Sequence, residues 1–358
     1  FDLIFNVSVF THLAASWSAW LLEQHRLLAP GGLLVATFLS EVGLGWSLMQ
    51  RETLDDEVIR FVFTWQCLSG LVGLLFMLLA AEAMAEFLRD PSTLGSIPTD
   101  HTHVLHFAAL LGVQNVIDRP SAVLRENVAL LETMLDVASA QSCLERFLFP
   151  STSEVYAGTQ QFHDLPFPTP EDTPLTVSAL DRPRTSYMLS KIYGEALVHH
   201  SGLPFTIVRP HNFYGPRMGL SHVVPQLLDR IHRSADGDEL TVYSIDHRRT
   251  FCFIDDAVEY LTRLMGPAGR DGTFNIGVEA PEVTIGELAE LLCRVVGREL
   301  RLVAGETTAG SPPRRCPDMS RTIDATGHRP QVSLDEGVTR TYSWYRDTVF
   351  DGDGVSAR

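Results

Sequence analysis

The chain has 358 residues, enough to bury a large α/β core and a smaller lobe. Its 44 acidic residues outnumber its 28 basic ones, and the net charge of −16 disfavours nucleic acid and anionic membrane surfaces as partners. Five cysteines (Cys67, Cys143, Cys252, Cys293 and Cys316) are scattered with no Cys-x-x-Cys pair, and Phe1 opens no secretory signal, so the expected setting is reducing and cytoplasmic, without structural zinc. The first predicted element is a strand-to-helix unit, Phe1-Asp2-Leu3-Ile4-Phe5-Asn6-Val7-Ser8 and onward. An amphipathic helix over residues 16–28, the turn Leu28-Ala29-Pro30-Gly31-Gly32 and a strand over residues 33–38 follow it. Residues 61–81 then carry no charge, a run long enough to span a bilayer as a helix with its amino end cytoplasmic. Thr64, Gln66 and Ser69 dilute that run and its flanks read as soluble α/β protein, so a buried junction helix is favoured over membrane attachment.

Beyond the junction, strands and helices alternate. His103-Val104-Leu105-His106 reads as a buried strand running into the small residues Ala108 and Ala109, where a ligand can approach the backbone closely. A helix over residues 121–141 carries Asn127. The apolar strand Arg146-Phe147-Leu148-Phe149 ends in Pro150-Ser151-Thr152-Ser153-Glu154-Val155-Tyr156, a string of hydroxyls and one carboxylate. A helix over residues 185–200 precedes the strand Phe205-Thr206-Ile207-Val208-Arg209, which runs into Pro210-His211-Asn212; another helix covers residues 225–233. Such alternation predicts a parallel sheet covered by helices, with ligands bound beyond the carboxyl ends of the strands, where residues 151–154 and 210–212 fall. Thr284 with Glu287 makes a capping box opening a helix to about Val296, and Ser333 opens a last helix through Tyr345.

Tyr187 and Lys191 stand four apart, so both project from one face of their helix and an ammonium can sit beside a phenol. A free phenol titrates near pH 10, too high for a base in the cell, and a neighbouring cation favours its ionised form. The pair is a candidate general base for a substrate hydroxyl. By itself the spacing is a weak signal, since Tyr-x-x-x-Lys arises often by chance on exposed helix surfaces. His101, His103 and His106 crowd one segment and admit a metal reading, but a strand with buried histidines explains them better.

From about residue 103 to 350 the chain resembles the extended short-chain dehydrogenase/reductase family, the NAD-dependent nucleotide-sugar epimerases, dehydratases and decarboxylases. The matching pieces stand in family order: His106-Phe107-Ala108-Ala109, Asn127, Ser151-Thr152-Ser153-Glu154-Val155-Tyr156, Tyr187 with Lys191, and Arg209-Pro210-His211-Asn212-Phe213-Tyr214-Gly215-Pro216. Arg249 to Ala257, Phe274-Asn275-Ile276-Gly277 and Pro313 to Asp318 complete the set. The resemblance implies a Rossmann-like α/β fold with a smaller carboxyl-terminal substrate lobe, NAD as cofactor, a nucleotide-diphosphate sugar as substrate, and a homodimer formed through the helices over residues 121–141 and 185–200.

It further implies that Tyr187 deprotonates a sugar hydroxyl while hydride passes to the nicotinamide. Lys191 would lower the tyrosine's pKa and hold the cofactor ribose, and Thr152 would bond the reacting oxygen. Ala108, Ala109, Asn127, Ser151 and Pro210 would line the cofactor. Ser153, Asn212, Arg249 and Arg315 would meet the sugar nucleotide, the arginines through forked bonds to phosphate, with Arg314 as an alternative to Arg315. Dehydratases carry Thr-Asp-Glu where this chain has Thr152-Ser153-Glu154, which argues against 4,6-dehydration. Glu154 resembles the glutamate of UDP-glucuronate decarboxylases, whereas Ser190-Lys191 and the run from Arg209 to Pro216 resemble epimerases. The epimerase-like reading is favoured; a decarboxylase-like enzyme and a catalytically silent remnant are the alternatives.

The family's Gly-x-x-Gly-x-x-Gly turn, where amides and helix dipole meet the cofactor pyrophosphate, is not in the sequence. Gly70-Leu71-Val72-Gly73 comes nearest but lacks the third glycine. The segment from Phe1 to about residue 40 instead resembles the late strands of a class I S-adenosylmethionine-dependent methyltransferase, through its Leu28, Pro30, Gly31 and Gly32 turn. The expected organisation is a methyltransferase-like fragment (1–48), an apolar junction (49–95), a Rossmann-like core lacking its first βαβ unit (96–280) and a substrate lobe (281–358) interleaved with the core from about residue 212.

Overall fold

A computed structural model describes the backbone of Leu3–Asn6 and Leu33–Ala36, and residues 97–308 and 310–351. The expected helix over residues 16–28 and the uncharged run 61–81 lie outside the described residues. Two compact units divide the chain, Phe1–Leu34 with Asp100–Arg358, and Val35–Thr99.

The first unit is organised by a six-stranded sheet. Its strands are β1 (Leu3–Asn6), β2 (Leu33–Ala36), β3 (His103–His106), β4 (Arg146–Pro150), β5 (Phe205–Pro210) and, after four short strands described below, β10 (Gly272–Ile276). Their spatial order is β10-β5-β4-β3-β1-β2. The pairs β10/β5, β5/β4, β4/β3 and β3/β1 are all parallel. Val104, Phe147, Leu148, Ile207 and Ile276 are almost fully buried, as expected of strands covered on both faces, which read as unbroken apolar runs rather than alternating ones. Place in the sheet beside β3 is taken by β1, with Ile4 opposite Leu105 and Phe5 opposite His106. The segment before the junction thus contributes a strand to the sheet.

The helices fall close to the predicted spans. In chain order they are α1 (Val113–Asp118), α2 (Pro120–Ser139), α3 (Ala157–Phe162), α4 (Pro183–His199), α5 (Val223–Arg233), α6 (Ile254–Leu264), α7 (Ile285–Val296), α8 (Ser320–Thr326) and α9 (Leu334–Tyr345). Proline at the first turn starts α2 and α4, where its missing N–H costs nothing. The Thr284–Glu287 capping box forms in full, Ser333 caps α9, and Gly297 ends α7 in the left-handed conformation that glycine takes without penalty. Helices α2 and α4 pack together over β4 at Gly194. A β-carbon there would lie 2.5 Å from the Phe149 ring and 2.9 Å from Leu131, so only glycine lets the backbone come so close.

The carboxyl-terminal part holds the short strands β6 (Phe213–Tyr214), β7 (Glu239–Val242), β8 (Arg248–Arg249), β9 (Cys252–Phe253), β11 (Val283–Thr284), β12 (Arg301–Ala304) and β13 (Arg314–Arg315). Its core joins Leu228 and Ile231 of α5, Leu240 of β7, Leu288 and Leu292 of α7, and Val338 of α9. Among the described residues no helix is long and apolar enough to cross a membrane.

Candidate active site

The carboxyl ends of β3, β4 and β5 converge where the sequence places its motifs. After β3, Ala108 and Ala109 are buried, and Asn127 from α2 accepts from the Leu110 amide at 2.6 Å and donates to the Leu110 carbonyl at 3.1 Å, fixing the backbone of that loop. After β4, Thr152 caps a 3₁₀ turn (Ser153–Tyr156) by accepting from the Glu154 amide at 3.2 Å. Glu154 lines two clefts from this turn. Asn212, after β5, takes a positive φ of 42°, a region asparagine tolerates, and donates to the Thr250 carbonyl at 3.0 Å.

Helix α4 brings Tyr187 and Lys191 to this edge. The Tyr187 phenol hydrogen-bonds the Thr152 hydroxyl. Lys191 is buried, donates from Nζ to the Pro150 carbonyl at 2.8 Å, and lies 4.9 Å from the Phe149 ring centroid and 5.9 Å from that of Tyr187. Burial pulls its pKa down to about 8, against the pull of Glu195 toward the charged form. Tyr187 moves the other way: burial raises its pKa, and the Glu154 carboxylate adds to the rise. The hydrogen bond with Thr152 pulls it down by less, so in the protein alone the phenol is held protonated.

Beneath the site lies a closed polar network that the sequence did not reveal. Arg209 donates from Nε and Nη2 to Glu195 at 2.9 and 2.6 Å, and from Nη1 to the Tyr156 hydroxyl at 2.7 Å. Burial works against that charge, but the Glu195 bonds hold the guanidinium ionised. Ser151 donates to Glu195 at 2.5 Å, so its hydroxyl is tied to the network rather than turned to a ligand. Glu195 stands four residues after Lys191 on α4; that spacing was the only sequence signal for it. His211 bonds Asn275 at 3.2 Å, and burial lowers its pKa to about 3.

Two clefts adjoin Glu154. One, of about 290 Å³, is lined by Ser178, Arg182, Arg184 and Met188 among others. The second, of about 260 Å³, is lined by Asn212, Arg230, His247, Arg249 and Arg315 among others, and both include Arg184. Arg249 is buried, donating to the Pro312 carbonyl at 2.5 Å and Ser311 at 3.1 Å. Burial and the nearby Arg315 and Arg184 lower its pKa to about 9. Arg315 reaches Glu154 at 3.2 Å, and Arg184 reaches the same oxygen at 3.6 Å. Arg314, equally suited by sequence, is spent elsewhere: it pairs with Glu282 at 2.6 and 2.8 Å and stacks on Phe167. Ser153 is buried under the 3₁₀ turn, at the side of the site rather than in either cleft. The sequence reading missed Arg184 and Arg230, although Arg184 stands three residues before Tyr187 on one helix face.

A buried ammonium with three donors and one protein acceptor among the described residues fits the ribose hydroxyls of a dinucleotide. His101, His103 and His106 lie around β3, with His106 stacked near Phe147 and Phe149; no group of three or more metal-ligating side chains occurs among the described residues.

Comparison with known proteins gives the same picture. Residues 87–277 match the model of the NAD dependent epimerase/dehydratase family. The chain is 30% identical over 282 residues to the UDP-N-acetyl-alpha-D-glucosaminuronate decarboxylase of Bacillus cytotoxicus, covering 73% of this chain and 82% of that one. It is 30% identical over 257 residues to a probable GDP-L-fucose synthase of Oryza sativa subsp. japonica, covering 69% and 76%. Among solved structures, a UDP-glucose 4-epimerase from Thermotoga maritima with UDP-glucose superposes with a TM-score of 0.61 at 25% identity, over 69% of this chain and 78% of that one. A double mutant of a dTDP-glucose 4,6-dehydratase from Streptomyces venezuelae with NAD bound gives 0.62 at 26% identity, over 73% and 78%. The chain therefore belongs to the NAD dependent epimerase/dehydratase family, whose relatives are nucleotide-sugar epimerases, dehydratases and decarboxylases.

Proposed function

We propose that this chain oxidises a ring hydroxyl of a nucleotide-diphosphate sugar to a transient keto sugar with NAD, and that the keto sugar is then re-reduced as in an epimerase. The observation that carries this reading is the convergence of Tyr187, Thr152 and Lys191 on one sheet edge beside a cleft crowded with arginines. When bound, the nicotinamide supplies the hydride acceptor. Tyr187 removes the hydroxyl proton, and Thr152, already bonded to the phenol, orients the reacting oxygen. Lys191 supplies a cation beside the phenol and donors for a ribose; a second positive charge on an oxidised nicotinamide would bring the tyrosine's raised pKa down. Ala108, Ala109 and Pro210 leave room for the cofactor, and Asn127 fixes the loop before it. Ser151 supports this wall through Glu195. Asn212 and Arg249 suit the diphosphate, and Arg315 stands nearer the sugar. A decarboxylase-like outcome draws support from the ion pair of Glu154 with Arg315, whose carboxylate acts on the Tyr187 phenol.

In this reading residues 96–280 form the cofactor core and 281–358 a substrate lobe interleaved with it, preceded by a methyltransferase-like fragment (1–48) and a junction (49–95). The protein works in the cytoplasm as a homodimer through α2 and α4, without membrane attachment. Calorimetric titration of the full chain with NAD⁺, with Lys191→Ala and Tyr187→Phe alongside and the denatured supernatant checked for nicotinamide, tests the proposal. Binding weakened by Lys191→Ala supports it. No binding at millimolar NAD⁺, and no nicotinamide released, would refute it and leave a catalytically silent remnant.

A further inference from the structure

Two buried nitrogen atoms beside the site have no hydrogen-bond partner among the described residues: Nδ1 of His211 and Nε of Arg315. Both residues line one small cavity of about 10 Å³, at the lower limit of what a single water needs. His211 reaches it from the end of β5, where the residue is 2% exposed and its amide donates to the Ile276 carbonyl at 2.8 Å. Arg315 borders it from β13, and Ser153 from the 3₁₀ turn after β4.

The bonds around Asn275 decide which His211 nitrogen carries the hydrogen. Asn275 Nδ2 donates to the Thr169 and Asp318 carbonyls at 2.9 and 3.2 Å, so Oδ1 is left as the acceptor. That oxygen stands 3.2 Å from His211 Nε2, which must therefore donate to it. It also accepts from the Tyr156 hydroxyl at 3.0 Å, whose own oxygen accepts from Arg209 at 2.7 Å. Burial keeps the imidazole neutral, with its pKa lowered to about 3. Neutral His211 thus has a bare lone pair on Nδ1, while Arg315 Nε always carries a hydrogen. A buried acceptor and a buried donor border one cavity and make no direct bond, and leaving either unmade is costly.

We propose that one water molecule bound in this cavity links the two, accepting from Arg315 Nε and donating to His211 Nδ1, with Ser153 beside it. His211 is thereby a positioning residue, acting through the water on the guanidinium whose Nη2 reaches Glu154 at 3.2 Å. Its consequence for binding rests on the nucleotide-sugar reading above. An Arg315 held at Nε presents its remaining donors to an anionic ligand with less rotamer freedom left to lose.

A high-resolution crystal structure of the full chain tests the bridge. A water within hydrogen-bond distance of both His211 Nδ1 and Arg315 Nε is expected; a dry cavity, or a direct bond between the two side chains, overturns the proposal. Three variants test the positioning role, read by calorimetry as the affinity for whichever of UDP-glucose, dTDP-glucose and GDP-glucose the wild type binds. His211→Asn keeps an oxygen at the Nδ1 position and gives up the Asn275 bond. His211→Gln keeps a donor for Asn275 and has no acceptor at the Nδ1 position, and His211→Phe loses both. His211→Asn should stay within about twofold of wild type, and the other two should bind about threefold to tenfold more weakly, the worth of one hydrogen bond. An equal loss in all three, or His211→Gln nearest to wild type, marks a merely structural role and overturns the positioning role. The wild-type crystal structure decides the bridge even if a variant misfolds. If wild type binds none of the three nucleotide sugars, the nucleotide-sugar reading fails and the positioning role with it, while the water bridge stands or falls on the crystal structure alone.

Discussion

Replacing Lys191 by methionine should make the stability of this protein less dependent on alkaline pH. Lys191 is 5% exposed, and burial takes its pKa from 10.5 down to about 8. Below pH 8 the folded protein holds the ammonium against its preference, at a cost of about 3 kcal/mol relative to a lysine left in water. Between pH 8 and 10.5 the unfolded chain binds a proton that the folded chain has released, so stability rises with pH and the cost disappears. Methionine keeps the length of the stem and removes both the charge and its titration. Loss of the Nζ bond to the Pro150 carbonyl adds an offset of about 1.5–3 kcal/mol in the other direction. That offset moves the difference between the two proteins by a constant, and its change with pH is set by the folded and unfolded pKa values alone. Urea denaturation of both proteins at pH 7, 8, 9 and 10 measures the difference directly. Wild type should gain on Lys191→Met by about 1 to 3 kcal/mol as pH rises through this window. A difference that stays constant with pH would refute the reasoning and show Lys191 to be solvated in the folded protein.

Three further outcomes are expected. Glu195→Gln removes one half of the buried pair with Arg209 and leaves a guanidinium without its counter-charge, which should cost about 3–5 kcal/mol in urea unfolding, whereas Glu195→Met with Arg209→Met should cost much less than the single change. Gly194→Val forces a side chain against Phe149 and Leu131 and should lower stability by about 1–3 kcal/mol or more, read as a fall in melting temperature with α4 still helical by circular dichroism. Glu154→Gln removes a negative charge that raises the Tyr187 pKa, so the ascending limb of the pH–rate profile should move to lower pH; a limb that stays or moves up would show that Glu154 does not act on the phenol.

Local rules made the helices and the strand ends legible. Thr284 and Glu287 specify a helix start through bonds made within one turn, and that start forms as read. The apolar runs of β3, β4 and β5 identify buried strands for the same reason, since both faces of each are covered. What escaped depends on long-range packing. Arg314 and Arg315 are adjacent and chemically alike, and only the placement of Glu282 and Glu154 divides their roles. The bonds from Arg209 to Glu195 and Tyr156 join α4, β5 and the 3₁₀ turn, which no periodicity announces. The β7 and β12 strands pair in parallel across some sixty residues, too short and too distant in sequence to signal each other. The Tyr187–Lys191 spacing correctly placed both groups on one face, but the balance between burial and the neighbouring charge is a property of the folded site.

The most direct test of the central claim is a single-turnover reaction followed by the absorbance of reduced nicotinamide. The full chain loaded with NAD⁺ is mixed with nucleotide-diphosphate sugars, for wild type and Tyr187→Phe. Wild type should reduce the bound cofactor on meeting its sugar, and Tyr187→Phe should bind both ligands and react at least about a hundredfold more slowly. A Tyr187→Phe protein that reduces the cofactor at the wild-type rate would contradict the account.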